Sequence, residues 1–422
     1  MSLFLYNIFL FLYGTALKFA AFWNPKAKSW VTGRRGWEAP LISAMSGRSS
    51  HVLWMHCASL GEFEQGRPVL ELIRQKYPRY TILITFFSPS GYEIRKNYQG
   101  ADYVCYLPLD GSSTARRFLD IVKPDIVLWV RYEFWYHFLN QLFKRGTPVI
   151  LISGLFRSSQ PFFQWFGRLH RHMLSCFRYI FVQNAESATL LRNIGIENVA
   201  ISGDTRYDRV SAIAEAFEPL PEIAAFVNGL PVVVGGSTWP EDEEELDHFA
   251  NTNSGFRFII APHEIGEHHL KDIEKLFHNT IRYSKWVKIW KESAFKANSP
   301  HVLIIDNIGM LSRLYHYAII AYVGGGFGGD GLHNILEAAV YGRPVIHGPH
   351  YERFPEAIEL IEAGGSFSVG NALELEDTLK KLLANSSEYS MAAVAAEEFV
   401  RKRRGATHII MDYLEVNRLL TN

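Results

Sequence analysis

The chain has 422 residues, 48% of them hydrophobic and 20% charged, and its 43 basic side chains are balanced by 43 acidic ones. That composition excludes a disordered chain, and zero formal net charge excludes a global field suited to nucleic acid, so anion recognition must rest on local clusters. The length suits two domains of ordinary size, and the cysteines Cys57, Cys105 and Cys176 form no CxxC pair, which indicates neither a disulfide framework nor a zinc knuckle.

The first predicted element is an apolar helix. Met1 through Leu17, MSLFLYNIFLFLYGTAL, carries no charged side chain, and Lys18, Lys26, Lys28, Arg34 and Arg35 follow it. A spanning helix needs about 20 apolar residues, a length this run reaches only if Lys18 snorkels and the segment extends through Phe22. The charges follow the apolar run, whereas a cleaved signal peptide carries them in front. Residues 1–22 are therefore read as a hydrophobic membrane anchor, spanning or interfacial, with a first helix buried in the fold as the alternative. Holding the basic side inside places the catalytic domains on the cytoplasmic side.

Beyond the anchor, apolar runs alternate with helical patterns: HVLWMHCAS, GRPVLELIRQKY, YTILITFF, SGYEIRKNY, PDIVLWV, YHFLNQLFKRG and TPVILISG. Nearly continuous apolar strands separated by helices predict parallel βαβ units with both sheet faces covered, so residues 35–215 read as one doubly wound, Rossmann-like α/β domain. The pattern breaks at FEPLPEIAAFVNGLP and resumes with PVVVGGS, FRFIIAPHE, HVLIIDN, YAIIAYVGGG and RPVIHG, a second such domain over 225–405. The tail, 406–422, is a helix expected to pack back on the first domain. Ligands of open α/β sheets bind beyond the carboxyl ends of the strands, so two such domains are expected to face each other across a cleft lined by loop tips.

Those tips carry the candidate residues. In His56-Cys57-Ala58-Ser59-Leu60-Gly61-Glu62, Ser59 and Gly61 offer amide donors and Glu62 stands near a positive helix end; the plainer alternative is a helix-start charge worth about 1 kcal/mol or less. Arg131-Tyr132-Glu133-Phe134-Trp135 places a second acid at the third strand's end, so the two acids can divide base and electrostatic roles, unless Glu133 pairs with Arg131 or Arg157. In Gly203-Asp204-Thr205-Arg206-Tyr207-Asp208, Arg206 faces a phosphate or pairs with Asp204 or Asp208.

In the second domain the run Gly324 to Gly331 follows a strand and precedes a helix expected to start near His333-Asn334-Ile335-Leu336-Glu337. Gly325 and Gly326 permit close backbone approach, and the helix start offers amides to phosphate. The run matches GxGxxG, but the ribose-binding acid expected after the next strand is replaced by VIHGPHYERF, while Glu337 is placed to receive ribose hydroxyls; that favours a nucleotide sugar over NAD. Gly235-Gly236-Ser237-Thr238 and Ala261-Pro262-His263-Glu264 add further polar groups. His263-Glu264-Ile265-Gly266-Glu267 lacks the second histidine of HExxH, so no metal is expected. The run EDEEELDH at 241–248 is read as capping and solvating a helix start.

In this order the tips resemble the 3-deoxy-D-manno-octulosonic acid (Kdo) transferases of lipopolysaccharide assembly, a family of GT-B glycosyltransferases. The similarity runs from about residue 50 to 405 through HCASLGE, YLPLD, RYEFW, SGLFRSS, GDTRYD, GGST, DNIGML and GLHNILEAAVYGRPVIHGPHYERF. The resemblance implies transfer of Kdo from CMP-Kdo to the lipid A precursor (lipid IVA) at the inner membrane, by an inverting displacement without cofactor or metal. It implies Glu62 as general base, with Glu133 and Arg206 assisting. Ser59, Gly61 and Arg157 fall on the acceptor side. The donor falls against Ser237, Thr238, Pro262, His263, Ile308, Gly309, Met310, Gly325, Gly326, His333, Asn334, Ile335, Leu336 and Glu337. No nucleic-acid or obligate protein partner is implied.

The chain departs from the family pattern at four places. Pro262-His263-Glu264 replaces Pro-Arg-His, Gly309-Met310-Leu311 replaces Gly-Glu-Leu, Arg206 replaces a lysine and Leu332 a glycine. The rival readings are a GT-B nucleotide-sugar epimerase and a non-catalytic membrane-bound nucleotide-sugar binder.

Overall fold

The computed structural model describes residues 2–47, 51–131, 133–292, 300–329 and 331–421. Tyr132 and Asp330 of the tip motifs, with Met1 and Asn422 at the ends of the expected anchor and tail, lie outside the described residues. The chain forms two compact units, Met1–Arg209 with Arg404–Asn422, and Val210–Arg403.

The first unit is built on a parallel sheet of β1 (Val52–Cys57), β2 (Thr81–Phe86), β3 (Tyr103–Tyr106), β4 (Ile126–Val130), β5 (Val149–Gly154), β6 (Tyr179–Val182) and β7 (Val199–Ile201). Its order is β3-β2-β1-β4-β5-β6-β7. Every residue of β1, β2, β4 and β5 is buried, as strands covered on both faces require. The edge strand β3 is absent from the sequence expectation; it is only four residues long and alternates in burial. Trp54, Phe118, Trp129 and Phe138 fill one face of the sheet. On the other, Phe63 of the helix Leu60–Lys76 packs with Ile410, Met411 and Leu414 of the returning helix Ala406–Val416. Asp208 fixes that return by accepting the amides of Gly405 and Thr407, each at 2.6 Å.

Helix α1 (Leu3–Ala20) starts at Ser2, whose hydroxyl accepts the Leu5 amide. It buries one stripe, Tyr6, Leu10 and Gly14, spaced four apart as a helix face demands. The Tyr6 hydroxyl donates to buried Asp110 at 2.7 Å and accepts the Tyr136 amide, while Asn7 Oδ1 lies 2.7 Å from His137 Nε2. A Cβ on Gly14 would stand 2.9 Å from Leu109. The opposite face is bare: Phe4 and Phe11 are 73% and 72% exposed, Leu5, Phe9, Leu12 and Phe19 are exposed as well, and so are Phe22 and Trp23 in the turn that follows. The helix is thus neither a core helix nor detached from the unit. After a turn, α2 (Pro25–Thr32) packs beside it, capped by Asn24.

The second unit repeats the plan with β8 (Val232–Thr238), β9 (Arg257–Pro262), β10 (Thr280–Arg282), β11 (Val302–Ile304), β12 (Ile320–Val323), β13 (Val345–His347) and β14 (Ser366–Ser368), in the order β10-β11-β9-β8-β12-β13-β14. The edge strands β10 and β14 are additional to those read from the sequence, three residues each. In both sheets the winding reverses once, between β1 and β4 in the first and between β8 and β12 in the second. Such reversals leave a crevice beyond the strand ends.

Candidate active site

The reversal of the first sheet carries both acids, Glu62 after β1 and Glu133 after β4. Ser59 is extended and N-caps the helix Leu60–Lys76, putting Glu62 in its first turn. Glu62 is only 7% exposed, and its Oε2 accepts the Ala58 amide at 2.5 Å, so the helix-start role is realised and the carboxylate satisfies one donor that the helix cannot. Gly61 is exposed and faces open space.

Glu133 Oε2 accepts the Trp135 indole N–H at 3.2 Å and lies 3.8 Å from His56 Nε2. Its partners are therefore an indole and an imidazole, where the sequence alternative offered Arg131 or Arg157. His56 is fully buried, with Nδ1 2.9 Å from Thr85 Oγ1, which also accepts from Trp54. Sequence reasoning missed its role; the available signal was one imidazole in an otherwise apolar strand.

Arg206 takes the ion-pair alternative. Its Nε and a terminal nitrogen reach Asp204 Oδ2 at 2.9 and 2.8 Å, and its amide donates to Oδ1. Burial alone would raise the Asp204 carboxyl, but the charge and hydrogen bonds of Arg206, with the charge of Arg131, outweigh it and hold the group below its ordinary value. Arg206 is thereby oriented rather than free to swing. Arg157 is exposed, its amide bound to Gln160 Oε1.

At the reversal of the second sheet the chemistry changes. Ser237, one residue before the end of β8, lies in the left-handed region at φ +53°, and buried Thr238 donates to Glu243 at 2.8 Å. Helix α3 (Pro240–Thr252) follows, and Asp242 of the acidic run caps its start as expected, but two acids of the run are buried where solvated ones were expected. Asp242 and Glu243 are 0% and 2% exposed. Asp242 accepts the amides of Trp239 and Gly325 and the hydroxyl of Tyr322, at 2.9, 2.8 and 2.7 Å. Burial raises its carboxyl, and these hydrogen bonds offset that only in part. One hidden carboxylate thus ties the β8 tip to the glycine-rich loop, while Glu243 reaches His269 Nε2 at 2.9 Å.

The glycines of that loop answer real crowding. A Cβ on Gly325, at φ +89°, would lie 2.3 Å from the Gly331 carbonyl, and one on Gly326 would lie 2.7 Å from the Gly348 amide. The helix expected from His333 is shorter than anticipated, a single turn, Leu336–Ala339. Asn334 accepts the Leu336 amide and donates to Glu337 Oε1 at 3.2 Å. Such a turn has little macrodipole, so anion binding by a helix end is not its contribution. Ile335 and Leu336 are buried beneath it.

Aromatic rings stand there instead. His263 stacks on Trp239 at 4.7 Å and on His333 at 4.5 Å, and the Trp239 indole donates to His333 Nε2 at 3.2 Å. Pro262, buried, pairs with Thr238 across the strand ends. Ile308 is exposed, Gly309 turns at φ +98°, and buried Met310 opens a short helix whose Leu311 and Tyr315 press on Gly236. The structure thus sets Thr238, Pro262, His263, Gly325 and His333 near the tips of β8 and β12, and adds Trp239 and Asp242 to them.

Residues 33–209 match the sequence profile of the family described as 3-Deoxy-D-manno-octulosonic-acid transferase (kdotransferase). The chain is 28% identical over 360 residues to the 3-deoxy-D-manno-octulosonic acid transferase of Aquifex aeolicus, covering 84% of this chain and 91% of that protein. It is 25% identical over 378 residues to the transferase of the same name from Haemophilus influenzae, covering 86% of each. In fold it is similar to UDP-GlcNAc 2-epimerase from Neisseria meningitidis, with a TM-score of 0.61 at 19% identity over 86% of this chain and 99% of that one. That likeness supports the GT-B type of fold and leaves the chemistry open. In its matched N-terminal region and over most of the length of these relatives, the chain is similar to the 3-deoxy-D-manno-octulosonic acid transferases.

Proposed function

We propose that the chain transfers Kdo from CMP-Kdo to a hydroxyl of the lipid A precursor, lipid IVA, with inversion at the anomeric carbon. The observation that carries this reading is the placement of two acids at one sheet reversal and of a glycine-rich loop beside stacked rings at the other. The acceptor oxygen bonds to the anomeric carbon as the bond to the CMP phosphate oxygen breaks, the electron pair leaves with CMP, and Glu62 takes the hydroxyl proton. General-base assistance of this kind contributes about 10²- to 10⁴-fold. The Ala58 amide fixes the carboxylate's direction. Glu133, backed by His56, and Arg206, held by Asp204, assist as charge moves.

On the donor side, His263 between Trp239 and His333 supplies the polar contact that a guanidinium makes in the family pattern, with Gly325 and Gly326 letting the backbone come close. Helix α1, docked by one stripe with its other face apolar, suits a helix lying in the interface of the inner membrane's cytoplasmic leaflet. Confining enzyme and lipid to one surface raises their effective concentration.

Fold likeness to an epimerase keeps a second reading in view. Calorimetric titration separates them: the transferase binds CMP-Kdo and not UDP-N-acetylglucosamine. Binding of the UDP sugar alone would overturn the proposal in favour of the epimerase.

A further inference from the structure

A groove of about 710 Å³ opens in the first unit beside α1, α2 and the Pro108–Leu109 segment, within the ~300–1,000 Å³ range of small-ligand sites. Its walls are apolar, with Leu10 and Phe11 from α1, Trp30 from α2, and Trp37 and Leu109 beyond. Lys18, Arg34 and Arg35 also line it, and no carboxylate does.

The three cations are unequal. Arg34 points inward, donating to the carbonyls of Leu107, Trp30 and Phe87 at 2.8, 3.1 and 2.6 Å, with its guanidinium 3.9 Å from the Trp30 ring centre. Burial pushes it down to about 9, which leaves it charged at neutral pH, and its hydrogen-bond partners are neutral. Lys18 and Arg35 are exposed, with no ion pair among the described residues. An apolar trough with unneutralised positive charge matches an amphiphile that carries an acyl chain and a phosphate.

The wall of the groove is packed against the residues that hold the acids. Trp30 packs with Ala58 and Phe87 in one cluster, joined by Leu109 and Trp135. Ala58 donates its amide to Glu62, and Trp135 donates its indole N–H to Glu133. A chain seated against Trp30 therefore lies one packed layer from the residues that hold Glu62 and Glu133, a proximity that bulk phospholipid has no reason to require.

We propose that this groove seats an acyl chain of the acceptor lipid, with Lys18 and Arg35 holding its phosphate. The inference rests on the transferase reading and extends it from the reacting hydroxyl to the rest of the acceptor.

The test uses the full chain in detergent micelles with the tetra-acylated disaccharide bisphosphate, its dephosphorylated form and its deacylated form. The double variant K18E/R35E, both side chains exposed and unpaired, is expected to raise the acceptor KM about tenfold or more, as loss of charge-assisted contacts implies. Its kcat and donor KM should stay within about twofold, and the dephosphorylated acceptor should not distinguish it from the parent. T15F, which fills the groove, should raise KM for the acylated acceptor and not for the deacylated one. Trp30 and Trp37 give a second readout, since the parent's tryptophan fluorescence should change on titration with the acylated bisphosphate. Unchanged acceptor KM in both variants, while the parent transfers Kdo, would overturn the groove alone. A defect confined to phosphatidylglycerol vesicles and absent in micelles would overturn it in favour of a bulk-surface role for these cations. If the parent transfers no Kdo, the functional reading falls, and the fluorescence titration still decides the groove, with no change counting against it.

Discussion

The two sheets share strand direction, strand number and one reversal of winding, yet they arm that reversal differently. The first presents side chains: two carboxylates, an imidazole behind one of them and an arginine held by a buried aspartate. The second presents backbone and rings, with glycines pressed close and its acids turned inward to shape the loop. The same scaffold position thus serves proton transfer in one unit and ligand approach in the other, because chemistry resides in the loops at the strand ends and not in the strands themselves.

The comparison is broken most sharply at Glu62. Glu62→Gln keeps an oxygen for the Ala58 amide, so the fold and CMP-Kdo affinity should persist while kcat falls about 10²- to 10⁴-fold, as measured by single-turnover kinetics. Retained turnover would move the base elsewhere. In the second unit the acid is architectural, so Asp242→Ala should act on stability. Three donors lose their acceptor, at about 1–3 kcal/mol for each left unpaired, and calorimetry should show a loss of about 3 kcal/mol or more. A loss of catalysis with unchanged melting would give Asp242 a direct role.

The smallest expected effect concerns Asp204 and Arg206. Arg206→Ala should cost about 2 kcal/mol at neutral pH, the scale of a hydrogen bond to a charged group. Asp204 is held below its ordinary value in the folded state, so the stability it contributes is present above the usual carboxylate range and is lost as pH falls through the lowered value. Denaturant unfolding curves of parent and variant should therefore converge in acid. A difference that stays constant down to that range would deny the pairing its electrostatic origin.

Much of the architecture was legible because buried parallel strands write themselves as apolar runs: VLWMHC and TILITF are buried at every position. The edge strands β3, β10 and β14 were not, since they are three or four residues long and half of β3 is only partly buried. Glu62 and Glu133 were legible as acids at strand ends. The imidazole behind Glu133 was not, because His56 lies on β1 and meets the acid only when β1 and β4 pair side by side. Asp242 misled for the same reason: an acidic helix start reads as solvated until a glycine amide 83 residues on turns toward it. The phosphate-binding helix expected at His333 is a single turn, Leu336–Ala339, too short to present a macrodipole. Apolar helix α1 was plain in the sequence, but Tyr6 and Asn7, which pin it to Asp110 and His137, depend on residues more than 100 positions away.

The most direct measurement tracks the sugar itself. Labelled CMP-Kdo incubated with the full chain and the acylated disaccharide bisphosphate should carry its label into the organic phase, with CMP released in equal amount. Label that remains in the aqueous phase, as free sugar or unconsumed donor, would contradict transfer to lipid.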